Sequence, residues 1–131
     1  MKVLLFAPHF PREQTDFCRG LAEVGAEVYG VADCPEHDLP PLVRRSLAGY
    51  FRVPALLDTQ LCLRSILPIA ERLKPDRVET LWENLVVMAA RLRELLGVPG
   101  MNVETTIGFR DKDVMRARAA KAGLRVPRWA R

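Results

Sequence analysis

Two periods alternate along the chain. Short continuous apolar runs recur at KVLLF (Lys2 to Phe6), EVYGV (Glu27 to Val31), YFRVP (Tyr50 to Pro54) and RVETLW (Arg77 to Trp82). Runs of this length between Gly- and Pro-rich segments predict strands buried on both faces. Between them the apolar residues fall at helical spacing. Phe17, Cys18, Leu21 and Val24 form one stripe that Gly25 ends, and PLVRRSLAG reads as a short helix or turn. Asp58 is placed to cap a helix striped by Leu63, Ile66, Leu67, Ala70 and Leu73. Pro68 interrupts that stripe and predicts a kink or a late helix start. Leu85, Met88, Ala89, Leu92, Leu95 and Leu96 make a further amphipathic helix stopped by Gly97, and VPGMN reads as a short fifth strand.

The resulting order is β-α-β-α-β-α-β-α-β. Helices between successive strands supply crossovers, so the strands must run parallel. Right-handed crossovers then cover both sheet faces with helices. The expected fold is a small Rossmann-like three-layer α/β/α domain with a parallel sheet of four to five strands. A domain boundary is expected between Thr105 and Arg110, dividing the chain into a Rossmann-like domain at 1–109 and an opening helix with linker at 110–131.

Composition fits a globular chain, with 49% apolar and 27% charged residues over 131 positions, enough for one core. No apolar run is long enough to span a membrane as a helix. The first strand runs straight into Pro8 without a small-residue cleavage site, so a buried strand explains it better than a signal peptide. Three cysteines, Cys18, Cys34 and Cys62, with no close pair point to a reducing, cytoplasmic setting. Charge is unevenly placed. Residues 110–131 hold eight basic and two acidic side chains, so +6 of the net +4 lies there and −2 in residues 1–109. Such a segment either is a solvated helix face or meets phosphate or an acidic surface.

In open parallel sheets ligands bind beyond the carboxyl ends of the strands. Residues 7–14, 32–40 and 82–84 lie there. The first loop has no glycine between Phe6 and Arg19, which disfavours a dinucleotide site. His9 directly follows the first strand and can act as acid, base or donor, or simply as a loop hydrogen-bonder. Asp33 can meet a ribose or cap its loop. Cys34 and His37 form one C-x-x-H without a second ligand pair, so no metal site is expected. Glu83 and Asn84 follow the fourth strand. They can present a carboxylate and an amide to a small substrate, and Glu83 can alternatively serve the next helix N-terminus. Asp111 is a natural N-cap, which puts Lys112 in the first turn, where a cation opposes the helix dipole. Val114, Met115, Ala119 and Ala122 give that helix a small apolar face. Gly123 ends it, Leu124 is placed as the contact of a Schellman-type cap, and RVP beyond reads as strand-like.

From Val78 to Arg128 the sequence resembles the ATP-grasp enzymes, which include biotin carboxylase, carbamoyl phosphate synthetase and related carboxylate–amine ligases. The shared pattern is a strand end with Glu83–Asn84, a helix, Gly97 to Gly100, a turn, Asp111–Lys112 opening a helix, and Gly123 to Pro127. GYFRVPALLD (Gly49 to Asp58) is similar to the family's third strand and following loop, whereas the first 45 residues match only as a generic strand–helix–strand. The resemblance implies a pre-ATP-grasp domain: the N-terminal, substrate-side part of a ligase that uses ATP and Mg²⁺ to form an acyl phosphate. It implies that Lys112 contacts nucleotide phosphate and that Glu83, Asn84 and, less directly, His9 face a small carboxylate substrate. It also implies a C-terminal ATP-grasp domain beyond Pro127 that carries the catalytic and magnesium-binding residues. By itself the chain is then expected to hold no catalytic residue, no metal and no tightly bound cofactor.

Two other classes compete. MKVLLFAPHFP is also similar to the opening of two-domain glycosyltransferases of the GT-B type, although those carry glycines in the first loop and a longer first domain. A stand-alone Rossmann-like binding module is the non-enzymatic alternative. Neither a nucleic-acid nor a membrane partner is expected. Leu124, Val126 and Trp129 are candidates for an apolar surface that meets a second domain or a second copy in a homodimer.

Overall fold

The computed structural model describes residues 1–127. Four strands form one all-parallel sheet in the order β3-β2-β1-β4. They are β1 (Lys2–Phe6), β2 (Glu27–Ala32), β3 (Gly49–Arg52) and β4 (Arg77–Glu79). The helices are α1 (Glu13–Glu23), α2 (Pro41–Ser46), α3 (Thr59–Leu73), α4 (Val86–Leu96), α5 (Val103–Arg110) and α6 (Lys112–Lys121). The expected three-layer α/β fold is present.

Strand alternation sends side chains to two cores. Leu4, Phe6 and Val31 pack with Cys62, Ile66 and Ala70 of α3 and Met88, Ala89 and Leu92 of α4. Leu5 and Val28 pack on the other face with Cys18 of α1 and Val43 of α2. Both faces are thus covered, which explains why the strands read as unbroken apolar runs. Burial raises the thiol pKa of Cys18 and of Cys62 to about 11, so both act as small apolar side chains.

Several expectations are corrected. VPGMN is loop, not a fifth strand: Gly100 has φ 147°, and the Met101 carbonyl is taken by the Arg93 side chain. Thr105 to Arg110, within which a domain boundary is expected, are helical and belong to α5, which packs on α4. Asn102 caps α5 by accepting from the Thr105 amide at 2.8 Å. RVP beyond α6 has no regular structure, and β4 stops at Glu79 instead of reaching Trp82.

Pro68 does not delay α3, which runs unbroken from the Asp58 cap, whose carboxylate accepts from the Leu61 amide at 2.9 Å. Pro68 and Arg64, one turn earlier, both face solvent. The Arg64 carbonyl that loses its helical partner can therefore bond to water.

Two buried stripes are rotated from those expected. On α1, Val24 is 80% exposed and Phe17 partly exposed, while Gln14 and Cys18 are buried. On α4, Leu95 is exposed and Arg93 is buried.

Candidate functional site

The order in which strands are added reverses between β1 and β4: β1 leads through α1 to β2 on one side, and β3 returns through α3 to β4 on the other. That switch point opens a crevice at the carboxyl ends of the strands, the usual ligand position in such sheets. One side chain bridges it. Gln14 of α1 is fully buried, donates from Nε2 to the Phe6 carbonyl at 2.6 Å, and accepts at Oε1 from the Leu81 amide at 2.6 Å. The β1–β4 register ends at Leu5 opposite Glu79. The Gln14 amide therefore stands in for the next rung of the ladder and ties the two loops that flank the crevice. Sequence reasoning missed it, because a glutamine on a helix face gives no signal of a partner 67 residues away.

Beside this bridge lies a cavity of about 250 Å³ lined by His9, Phe10, Asp33, Leu56, Leu57 and Trp82. Three of the sheet's loops and the end of β2 thus converge. The Phe10 and Trp82 rings meet edge to face with centroids 4.6 Å apart. The Asp33 carboxylate accepts from the Leu56 amide at 3.1 Å, and Arg52 Nε donates to the Asp33 carbonyl at 3.1 Å. Of the two readings for Asp33, the loop-capping bond is thus made. Burial lowers the His9 pKa below its ordinary value, and the Asp33 charge opposes that shift only in part. His9 Nδ1 is shielded from water and has no hydrogen-bond partner. Leaving a buried polar atom unpaired costs about 1–3 kcal/mol.

Glu83 and Asn84 are exposed in a single 3₁₀ turn leading into α4, and neither side chain caps that helix. They sit one and two residues past Trp82, outside the cavity lining. Lys112 is exposed at the first position of α6, next to Asp111. The Asp111 carboxylate fills the α6 N-terminus, accepting from the Asp113 and Val114 amides at 2.9 and 3.1 Å. A phosphate at that helix end would find these donors already used, so Lys112 offers a phosphate its ammonium group alone. Magnesium finds no acidic cluster among the described residues. Beside the α5–α6 junction, Val87, Ile107, Arg110 and Asp111 line a separate cleft of about 350 Å³.

Cys34 and His37 are drawn to different partners. The Tyr50 hydroxyl donates to the Cys34 carbonyl at 2.6 Å with Sγ 3.6 Å away, and His37 lies 3.4 Å from Asp38. Burial, together with the neighbouring Cys34, raises the Tyr50 pKa. At the end of α6, the Leu124 amide bonds the Ala119 carbonyl and the Gly123 amide the Ala120 carbonyl, the Schellman pattern, with Gly123 at φ 78°. Leu124 itself stays exposed, so the expected apolar contact is not made; Val126 is half-buried, and Trp129 lies outside the described residues.

A further cleft, about 580 Å³, lies at the opposite edge of the sheet between Lys74–Arg77 and Leu95–Pro99. It sits where chain enters β4 and α3 and α4 end, away from the carboxyl ends where parallel sheets gather ligands. Size alone does not make it the stronger candidate.

No family profile and no curated protein sequence matches the chain. Solved structures do. An L-amino acid ligase from Bacillus licheniformis superposes with a TM-score of 0.77 at 19% identity, over 96% of this chain and 31% of the ligase. A phosphoribosylglycinamide synthetase from Anaerococcus prevotii superposes with a TM-score of 0.73 at 15% identity, over 93% of this chain and 29% of the synthetase. The chain spans about a third of the length of these structures and has the fold of that part of them.

Proposed function

We propose that this chain is the substrate-side, N-terminal part of an ATP-grasp carboxylate–amine ligase, a pre-ATP-grasp domain that is not catalytic by itself. The observation that carries this reading is the match in fold to two ATP-grasp ligases over 96% and 93% of this chain. The ordered motif from Glu83–Asn84 through Gly97 to Gly100 to Asp111–Lys112, which resembles the same family, supports it independently.

In this reading residues 1–109 form the sheet domain, and residues 110–131 lead into an ATP-grasp domain that supplies the nucleotide and magnesium sites. Lys112 reaches ATP phosphate from the domain junction. Its exposed ammonium, free of the sheet, suits that role. Glu83, Asn84 and His9 stand on the substrate side at the carboxyl edge, where ligands of parallel sheets bind. The complete enzyme would activate a small carboxylate as an acyl phosphate for attack by an amine.

The test uses the complete polypeptide that carries this chain. ADP release should require a carboxylate and an amine together, and Lys112→Ala should raise the KM for ATP by about tenfold while leaving thermal stability within about 0.5 kcal/mol. Residues 1–131 alone should not bind Mg-ATP tighter than millimolar. Tight, magnesium-dependent ATP binding by residues 1–131 would overturn the assignment, as would unchanged ATP affinity with lost stability in the Lys112 variant.

A further inference from the structure

The cavity at the switch point has a charge and surface character that name its ligand. Phe10 and Leu57 remain 46% and 58% exposed although they line it, so it holds apolar surface that folding has not buried. Trp82 and Phe10 add aromatic faces. Asp33 is the sole formally charged residue in the lining, and no lysine or arginine belongs to it. The Arg52 guanidinium lies outside the lining and donates from Nε to the Asp33 main-chain carbonyl at 3.1 Å. The bond from Leu56 occupies one position on a carboxylate that can accept about four, so Asp33 keeps acceptor capacity. His9 does not offset this charge, because its burial favours the neutral imidazole.

We infer that this cavity binds an organic ammonium group with a compact apolar body: the cation against the Asp33 carboxylate and the aromatic faces of Trp82 and Phe10, the apolar body against Leu56 and Leu57. Cations are attracted both to a carboxylate and to the face of an indole ring, whereas an anion here meets Asp33 and aromatic faces that repel it. For its place in a reaction the inference rests on the ligase reading above, in which the occupant is the amine substrate and the carboxylate binds elsewhere along the carboxyl edge. The binding itself stands without that reading.

The test titrates the 131-residue chain with two probes of similar shape, phenethylammonium and 3-phenylpropanoate, followed by ¹H–¹⁵N NMR. Phenethylammonium should bind on the order of millimolar and shift the signals of His9, Leu56 and Trp82. Phenylpropanoate should bind at least about tenfold more weakly. Asp33→Asn keeps an oxygen for the Leu56 amide and should weaken the ammonium about tenfold. Leu57→Lys, at an exposed position that does not threaten folding, should reverse the preference between the two probes. Equal or stronger binding of phenylpropanoate, no binding of either probe, or an unchanged preference in both variants would overturn the inference. Each of these outcomes leaves the ADP-release test of the ligase reading untouched, so the two can fail separately.

Discussion

Gln14→Glu tests whether one amide holds the crevice together. Ionised glutamate can still accept from the Leu81 amide, but it has no proton for the Phe6 carbonyl 2.6 Å away, so two oxygens would face each other in a fully buried position. Protonated glutamate restores both bonds. The folded-state pKa of Glu at this position is therefore raised above its unfolded value of about 4.3. A raised carboxyl pKa gives stability that is fully present below the unfolded value and lost as pH rises through the folded one. Burying the charge with one donor should leave the variant about 2–4 kcal/mol less stable than the parent at pH 7, with most of that deficit recovered near pH 4. Gln14→Leu is the control. It orphans the Phe6 carbonyl and the Leu81 amide at about 1–3 kcal/mol each, offset by about 1–2 kcal/mol of added apolar burial, for a net loss centred on about 2–3 kcal/mol at either pH. Urea unfolding followed by circular dichroism at both pH values, with the parent chain measured alongside, gives the differences directly. A Gln14→Glu deficit that does not change with pH, or a Gln14→Leu chain as stable as the parent, would refute the bridging role.

Two further outcomes follow from the same geometry. Gly100 sits at φ 147° with a β-carbon position 2.6 Å from Arg93 Cδ, so Gly100→Ala should destabilise the chain by about 1–3 kcal/mol in urea titrations and speed amide exchange in α5. An unaffected α5 would mean that the Arg93 contact does not hold that helix. His9 has a pKa lowered by burial, so its linked stability is fully present above about pH 6.5 and lost as pH falls through the lowered folded value. His9→Gln should flatten the fall in stability between about pH 6.5 and 5, and an unchanged slope would place the acid sensitivity elsewhere.

The apolar runs and helical stripes of the sequence determined the element order, and with it the parallel sheet, because crossovers leave no other arrangement. The Asp58 and Asp111 caps and the Gly123 stop were equally legible, since each bond spans a few residues. Even the missed helix α5 carried a local signal: Asn102 three residues before Thr105 is an N-cap spacing, obscured by two threonines and Gly108 in a weak helix former. Tertiary structure alone decided what is polar and buried. Arg93 reads as the solvent side of an amphipathic helix, yet it donates to the Val78 carbonyl at 2.7 Å and to Met101, closing the end of β4 and the loop before α5. Gln14 displaced Phe17 and Val24 from the expected stripe for the same reason. Its partner Leu81, like Asp33, Leu56 and Trp82 around the cavity, lies in a loop after another strand, far along the chain from Gln14. Apolar burial needs only a neighbour of the right character and so leaves a periodic trace. A buried hydrogen bond needs one particular atom in one particular place, and only the folded chain brings that atom near.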